Sequence, residues 1–369
     1  TYEAMLHDVL AMSLNKVTVQ DEADGAPAVG RTKPAKVYDL GVTDPFWLDN
    51  SGKPFPSVTD EIEVQLNAWK AEYDRIGAHG GMQDIADKGG GIEALTKAAQ
   101  LVPELTERKR VLDMHTNICT VLLSQIKERE LDNFFSLESA ILSGSVYNAK
   151  SALMEVFSMQ ALGTAEDKLR LFLIFYLNAP NISDQDLQEY EAALGQLGAD
   201  LTLMQFLKYL RKMKQLETRA MGMGAADKGG GGLGLTEIMG KVKAGTVTAS
   251  GLLKTAAASI AGKKELPVTR AVEKLMDNVQ NSPEFDSYAF LDPTLPEHAA
   301  SRPRESRKPF REAIVFTVGS GSYVEFQDLQ ELAAKGAGGR NIIYGSTELV
   351  TASEFLRQLT ALGGRRFAL

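Results

Sequence analysis

Apolar residues recur every three or four positions over residues 58–76 and again over residues 95–126. This spacing places the apolar side chains along one stripe of a helix. Glycine-rich sequence separates the two stretches, so they predict a long antiparallel helical hairpin over residues 58–130. Pro103 lies inside the second stretch, and because proline removes a helical hydrogen bond we expect it to break, kink or start that helix.

The helical spacing continues beyond the hairpin, from residue 131 to about residue 214. Thr164, Ser183 and Thr351 each stand directly before a periodic segment, and their hydroxyl groups can accept a hydrogen bond from the first turn of a helix. Residues 58–216 are therefore predicted to be entirely helical.

The pattern changes near the carboxyl end of the chain. Residues 313–318 and 342–344 are short apolar runs typical of strands, and each is followed by a helical pattern. The order β-α-β-α predicts parallel strands with helical crossovers. Two such strands are too few for a stable domain, so we expect their partner strands to come from residues that precede Thr1.

Together these patterns predict a mostly α protein with a split α/β part, in which a helical domain with a long antiparallel hairpin is inserted into a parallel-sheet α/β domain. The predicted boundaries are residues 1–42 for the end of the first half of the α/β domain, 43–305 for the helical domain and 306–369 for the returning half. Residues 218–265 are rich in glycine, alanine, serine and threonine, and they predict a long insertion within the helical domain.

Composition and side-chain chemistry narrow the class of function. The net charge is −8, from 40 basic and 48 acidic residues, which argues against a nucleic-acid partner. Cys119 is the single cysteine, and its apolar neighbours predict a buried thiol. His115 lies on the apolar stripe and is predicted to be a core histidine. The histidines lack metal-site spacing, and no nucleophile or carboxylate pair stands out, so we expect no enzyme, cofactor, metal or small-molecule substrate.

One glycine-rich turn leaves another function open. Residues 319–323 follow the first predicted strand, where nucleotide-binding proteins carry a phosphate-binding turn. Val324 fills the third glycine position of the dinucleotide pattern, and no lysine completes a phosphate-binding loop. A nucleotide-binding α/β protein that uses Gly319 to Tyr323 is one alternative, and a helical scaffold protein is another.

Four segments carry a resemblance to a known family. They are Asp44-Pro45-Phe46-Trp47 with Pro54-Phe55-Pro56-x-Val58, Leu112-Asp113-x-His115-x-Asn117-Ile118, Arg311 through Gly319 to Tyr323, and Ile342 to Leu349. Together they resemble the Sec/Munc-type (SM) family of SNARE regulators, and within it the Sly-type branch that works between the endoplasmic reticulum and the Golgi.

The resemblance implies the carboxy-terminal part of an SM protein, without the amino-terminal domain that binds a syntaxin peptide. It implies a non-enzymatic chaperone or template for SNARE complex assembly in vesicle docking and membrane fusion. The implied partners are syntaxin-type Qa and R-SNARE proteins, with tethering factors and the vesicle membrane surface as further ones. The implied location is cytoplasmic, at the periphery of ER and Golgi membranes and transport vesicles.

In this family the hairpin aligns SNARE helices, which corresponds to residues 58–130 here. The candidate SNARE-binding residues are Leu95, Ala99, Val102, Pro103, Leu105 and Leu112. The alternative is that these side chains only pack the hairpin together. Sly-type members also carry a long loop over this site, which residues 218–265 match in position. The candidate lid and membrane-contact residues are Leu235, Ile238, Met239, Val242, Leu253 and Ile260, with the cationic Lys241, Lys243 and Lys254.

Overall fold

The computed structural model describes residues 1–19, 35–79, 91–142, 149–179, 182–220, 266–277, 309–335 and 339–365. Within these residues the chain is mostly helical, with two small two-stranded sheets. It divides into two compact units. The helical unit consists of Tyr2, Ala4–Ala261 and Thr351–Leu369, and the α/β unit consists mainly of Gly262–Val350.

The helical unit begins with small elements that lead into the hairpin. They are helix α1 (Tyr2–Leu10), strands β1 (Lys16–Val19) and β2 (Lys36–Asp39), and helix α2 (Pro45–Asn50). The two strands pair antiparallel, and Val17 and Val19 of β1 are buried. Asp44 caps α2, because its carboxylate accepts a hydrogen bond from the backbone N–H of Trp47.

The hairpin consists of helix α3 (Phe55–His79) and helix α4 (Gly91–Glu128), in the region where the sequence predicts it. Trp69 of α3 contacts Leu105 of α4, whereas Phe55 at the start of α3 stacks on Tyr2, which hydrogen-bonds to the later His115 of α4, so the two helices run antiparallel. Helix α4 is continuous through Pro103, so the prediction that this residue breaks or starts the helix is wrong. Pro103 lies on an exposed side of α4, where water can satisfy the carbonyl group that lacks a helical donor.

A bundle of shorter helices forms the main core of the helical unit. The helices are α5 (Leu131–Leu142), α6 (Ala149–Ser158), α7 (Ala165–Asn178), α8 (Asp184–Gln196) and α9 (Leu203–Ala220). Phe157, Phe172 and Tyr190 pack against one another at its centre. Thr164 and Ser183 cap α7 and α8 as predicted, because these caps depend only on residues within one helical turn.

The α/β unit contains helix α10 (Pro267–Met276), strand β3 (Glu312–Gly321), helix α11 (Tyr323–Lys335) and strand β4 (Asn341–Leu349). The strands pair in parallel, with Ile314 opposite Ile343, which confirms the predicted strand direction. The two helices cover one face of this sheet. The other face leaves four large apolar side chains exposed, and they are Ile314, Phe316, Val318 and Ile343.

Two helices join a different core from the one to which the predicted domain boundary between residues 305 and 306 assigns them. Helix α10, predicted within the helical domain, packs on the β3–β4 sheet through Val272 and Met276. Helix α12 (Ala352–Gly363), predicted within the α/β part, packs against α9 and joins the bundle core through Leu356. Thr351 caps α12 with the predicted capping box. The sequence pattern predicts α12 but not α10, and the core that each helix joins depends on distant residues.

Candidate functional site

The predicted SNARE-binding residues of α4 divide into buried and exposed groups. Val102 is 44% exposed, and Pro103 next to it is also exposed. Leu105 and Leu112 are only 5% and 1% exposed, so they pack the chain's own hairpin and offer no surface to a partner. The backbone of α4 is described at Leu95 and Ala99, but their side chains lie outside the described residues. The predicted SNARE-binding surface is therefore limited to the exposed side of α4, where Val102 and Pro103 lie.

Aromatic side chains on α3 extend the exposed part of this surface. Tyr73 is more than half exposed, and its ring stacks on that of Trp69 with the centroids 5.2 Å apart. Trp69 contacts α4 at Leu105, about one helical turn from Val102. We call Trp69, Tyr73 and Val102 the aromatic patch. Its exposed apolar rings on a long helix are typical of surfaces that bind another helix.

Trp69 also joins the two helices of the hairpin. Its indole N–H donates a hydrogen bond of 2.8 Å to the backbone carbonyl oxygen of Leu105, and the ammonium of Lys109 lies 5.3 Å from the centre of its ring. Glu72 and Arg108 form an ion pair one turn away, with 3.6 Å between Oε2 and NH1. Indole hydrogen bonding and cation–π attraction each stabilise such a contact modestly. The aromatic patch therefore sits where the hairpin is held together.

A second set of polar contacts lies at the base of the hairpin. His115 of α4 is fully buried, and its Nε2 lies 2.9 Å from Oδ2 of Asp44. Its Nδ1 lies 3.1 Å from the hydroxyl oxygen of Tyr2, which is also buried. In the neutral imidazole, Nε2–H donates to the carboxylate, and Nδ1 then accepts from the tyrosine hydroxyl. We call Tyr2, Asp44 and His115 the base cluster.

The surroundings of the base cluster shift the pKa values of its members. Burial alone raises the pKa of Asp44, but hydrogen bonds from His115 and the Trp47 backbone outweigh it and lower the pKa below its usual value. Burial raises the pKa of the Tyr2 hydroxyl and raises that of the Cys119 thiol to about 11. The buried thiol confirms the prediction for Cys119, and these groups stay protonated at neutral pH. The cluster has no access to solvent, so it is suited to hold structure rather than to react.

The predicted lid and membrane-contact residues lie outside the described residues. They are Leu235, Ile238, Met239, Val242, Leu253, Ile260, Lys241, Lys243 and Lys254. Among the helices that are described, none is both long and apolar enough to cross a membrane. The described residues also contain no cluster of three or more His, Cys, Asp or Glu side chains that could hold a metal ion.

The turn at residues 319–323 is filled by the protein's own side chains. The Tyr344 hydroxyl accepts a hydrogen bond from the backbone N–H of Ser322 and donates one to the Glu325 carboxylate. The hydroxyl of Ser322 in turn accepts one from the backbone N–H of Val324. A carboxylate at this helix start repels phosphate, and the backbone N–H groups of Ser322 and Val324 already have partners. The geometry disfavours the alternative in which this turn binds a nucleotide.

Sequence reasoning places His115 in the core but does not identify its partners. Asp44 and Tyr2 are 71 and 113 residues away along the chain. No local pattern links residues at such separations. The only sequence signal is that a polar histidine interrupts an apolar stripe, since a buried polar group requires a partner.

Within the described residues, the fold and site are those of a mostly helical protein with an exposed surface on its hairpin. Comparison with known proteins gives its family. The sequence model of the Sec1 family matches residues 1–358. Human Sec1 family domain-containing protein 1 is 33% identical over 98% of this chain, and the Arabidopsis thaliana SEC1 family transport protein SLY1 is 37% identical over 98%.

A solved structure gives the same result. The crystal structure of Sly1p in complex with an N-terminal peptide of Sed5p matches with a TM-score of 0.65 and 27% identity, over 98% of this chain and 55% of Sly1p. The chain spans 57% of the human relative and 56% of the Arabidopsis one. The chain belongs to the Sec1 family, and its Sly1 relatives confirm the Sly-type resemblance.

Proposed function

We propose that this chain acts as the SNARE-assembly part of an SM protein, a non-enzymatic template for vesicle docking and membrane fusion in ER–Golgi transport. The observation that carries the proposal is the aromatic patch on a hairpin whose helices are joined by side-chain contacts, in a chain of the Sec1 family. The complex of Sly1p with a Sed5p peptide supports SNARE proteins as partners. We extend this to syntaxin-type Qa and R-SNARE motifs.

The physical role of such a surface follows from the properties of free SNARE motifs. A segment that folds only on binding loses conformational entropy at that step. A firmly held helix with apolar and aromatic anchors reduces this loss, because it presents one preformed track along which the partner helix orders. The exposed Val102 and Tyr73 supply the anchors, and the buried Leu105 and Leu112 keep α4 in place.

The binding of labelled SNARE-motif peptides to the full chain tests this function. Val102→Asp places a charge in the aromatic patch, and we expect it to weaken binding about tenfold or more. Leu210→Asp is the matched control, because Leu210 is also 44% exposed but lies on α9. Fluorescence anisotropy measures both affinities. Equal affinity of the two variants, or no binding by the unmodified chain, would contradict the proposal.

The lid prediction for residues 218–265 forms a second part of the proposed function. Its cationic residues, such as Lys241 and Lys254, suit an anionic lipid surface, where each adds about 1 kcal/mol. Deleting residues 221–260 is expected to strengthen SNARE binding and to weaken sedimentation with vesicles that contain anionic lipids. Unchanged peptide affinity in the deletion variant rules out the lid, whereas unchanged sedimentation rules out only the membrane contact.

The domain arrangement and the location are also proposals. We propose that the β3–β4 sheet belongs to an α/β domain into which the helical domain is inserted. The exposed apolar face of Ile314, Phe316 and Val318 supports this, because such a face is normally covered in a parallel sheet. A place on the cytoplasmic side of ER and Golgi membranes, with tethering factors as further partners, follows from the proposed function.

A further inference from the structure

The apolar contacts between α3 and α4 do not by themselves fix how far one helix is shifted along the other. Hydrophobic attraction has no preferred direction, and α4 repeats an apolar stripe at every turn. The Trp69 contact adds little discrimination, because its acceptor is a backbone carbonyl, and every helical turn offers a similar group. To fix the register, a side chain must find its hydrogen-bond partners at only one relative position of the two helices.

His115 has this property. Its two ring nitrogens bridge Asp44 on one side and Tyr2 on the other, and both partners are buried with it. The positions one turn away on α4 are Val111 and Cys119, and neither side chain can make both hydrogen bonds. A shift by one turn would leave Oδ2 of Asp44 buried without its imidazole partner, which is unfavourable even though Oδ1 keeps the Trp47 N–H.

The partners of His115 are themselves fixed to the chain that enters α3. Asp44 caps α2, directly before the start of α3 at Phe55. The backbone N–H of Tyr2 donates to the carbonyl oxygen of Lys53, between α2 and α3, with 2.9 Å between the two atoms. The ring of Phe55 stacks on that of Tyr2. The base cluster therefore connects α4 to the chain that enters α3 and, through Phe55, to the first turn of α3.

We infer that the base cluster sets the register and rotation of α4 against α3, so that Asp44, His115 and Tyr2 are positioning residues for the aromatic patch. The inference rests on the proposed function for its biological meaning. Helix α4 is continuous from Gly91 to Glu128, so its setting at His115 fixes the direction in which Val102 points, about 20 Å further along.

Two substitutions of Asp44 separate its roles. Asp44→Asn keeps the cap, because its amide oxygen can accept from the Trp47 N–H, and its NH2 group can donate to Nε2 of His115 when the imidazole takes its other neutral tautomer. Asp44→Ser keeps a cap for α2 but is too short to reach His115. Asp328→Ser is the matched control, because Asp328 is an equally buried carboxylate of the α/β unit that accepts from Thr269 and from the backbone of Leu266.

The distance between spin labels at Asp60 on α3 and Glu104 on α4 measures the register, because Trp69 faces Leu105 and these two positions are therefore about 15 Å apart along the hairpin axis. Both positions are exposed, and the buried Cys119 thiol is poorly labelled because its pKa is raised to about 11. We expect a single narrow distance in the unmodified chain, in Asp44→Asn and in Asp328→Ser. In Asp44→Ser we expect a broad distribution or a second population displaced by about 5 Å, which is one helical turn.

A single unchanged distance in Asp44→Ser, together with lowered thermal stability, would overturn the inference and leave the cluster a packing contact. Tyr2→Phe keeps the ring and removes only the hydroxyl, so it decides the same question if Asp44→Ser does not fold. Peptide binding is measured on the same variants, and we expect Asp44→Ser to bind SNARE motifs about tenfold more weakly than Asp328→Ser. If the unmodified chain binds no SNARE motif, the proposed function fails, while the distance measurement still decides the positioning role.

Discussion

The indole N–H of Trp69 donates a hydrogen bond to the backbone carbonyl oxygen of Leu105, and this 2.8 Å contact joins the two long helices of the hairpin. Leu105 itself is buried, whereas the neighbouring Val102 and the stacked Tyr73 are exposed. The same tryptophan thus contributes to the stability of the hairpin and to the surface proposed to bind a partner. The two contributions can be separated by experiment.

Replacing Trp69 with phenylalanine removes the hydrogen-bond donor and weakens the attraction to Lys109. We expect the free energy of unfolding to fall by about 1–2 kcal/mol. Urea unfolding followed by far-ultraviolet circular dichroism measures this change. Tyr73→Phe is the control, since it keeps the stacked ring, and it should change stability by less than about 0.5 kcal/mol. Equal stability of the two variants would show that the Trp69 contact contributes nothing.

Gly363 is required by the close approach of α12 to the start of α9. A Cβ atom at this position would lie 2.0 Å from the carbonyl oxygen of Thr202, which is backbone and cannot rotate away. We expect Gly363→Ala to destabilise the chain by about 1–3 kcal/mol. Gly364→Ala is the control, because its Cβ would meet only ordinary contacts at 3.7 Å. Thermal unfolding of both variants tests the packing of α12 on the helical unit, and equal melting temperatures would contradict it.

Asp167 makes the stability of the helical unit depend on pH. Burial alone raises its pKa, but Arg129 and Thr164 outweigh burial and lower the pKa below its usual value. A lowered carboxyl pKa stabilises the fold above about pH 4 and ceases to do so as pH falls through the folded-state pKa. We expect Asp167→Asn to cost about 1–2 kcal/mol at pH 7, since Arg129 is partly exposed and solvent weakens the pair.

The difference between Asp167→Asn and the unmodified chain should shrink as the pH is lowered below about 4, because both then lack the carboxylate. Asp186→Asn is the control, since Asp186 pairs with Lys150 at the surface. We expect no measurable loss for it at either pH. A loss for Asp167→Asn that is constant from pH 7 to pH 3 would contradict this account of the ion pair.

Gly321 is explained by the contact between the strands and not by a ligand. A Cβ atom there would lie 2.5 Å from Oγ and 2.7 Å from Cβ of Ser346 on β4. We expect Gly321→Ala to lower the stability of the α/β unit by about 1–3 kcal/mol, and Ser346→Gly in the same chain to recover part of the loss. Denaturant unfolding measures the pair of variants. Saturable nucleotide binding that Gly321→Ala abolishes would instead favour the nucleotide-binding alternative.

The features that depend on neighbouring residues could be predicted from the sequence. The caps at Thr164, Ser183 and Thr351 and the parallel pair β3–β4 are where the pattern indicates, because a cap or a short apolar run is determined within a few positions. The intrinsic cost of Pro103 predicts that it breaks, kinks or starts the helix, and the continuous α4 excludes the break and the start. Pro103 is exposed, and α4 continues through it where water can reach the proline and reduce that cost.

Features that depend on distant residues could not be predicted in this way. Periodicity predicts α12 but not α10, and it does not say that α10 packs on the sheet and α12 on the bundle. The same stripe that suggests Leu105 and Leu112 as binding residues also packs the hairpin, and only the partner helix α3 decides which side chains stay exposed. The partners of His115 likewise become apparent only when the three elements come together.

Photocrosslinking from single positions shows most directly where a partner helix lies. A benzophenone amino acid is placed at Val102 in the aromatic patch or, in a separate chain, at Leu210 on α9, and each is irradiated with labelled Qa and R-SNARE motif peptides. We expect crosslinked peptide from position 102 and little from position 210. Equal crosslinking from both positions, or none from position 102 when the peptide is bound, would show that the hairpin is not the surface on which SNARE helices align.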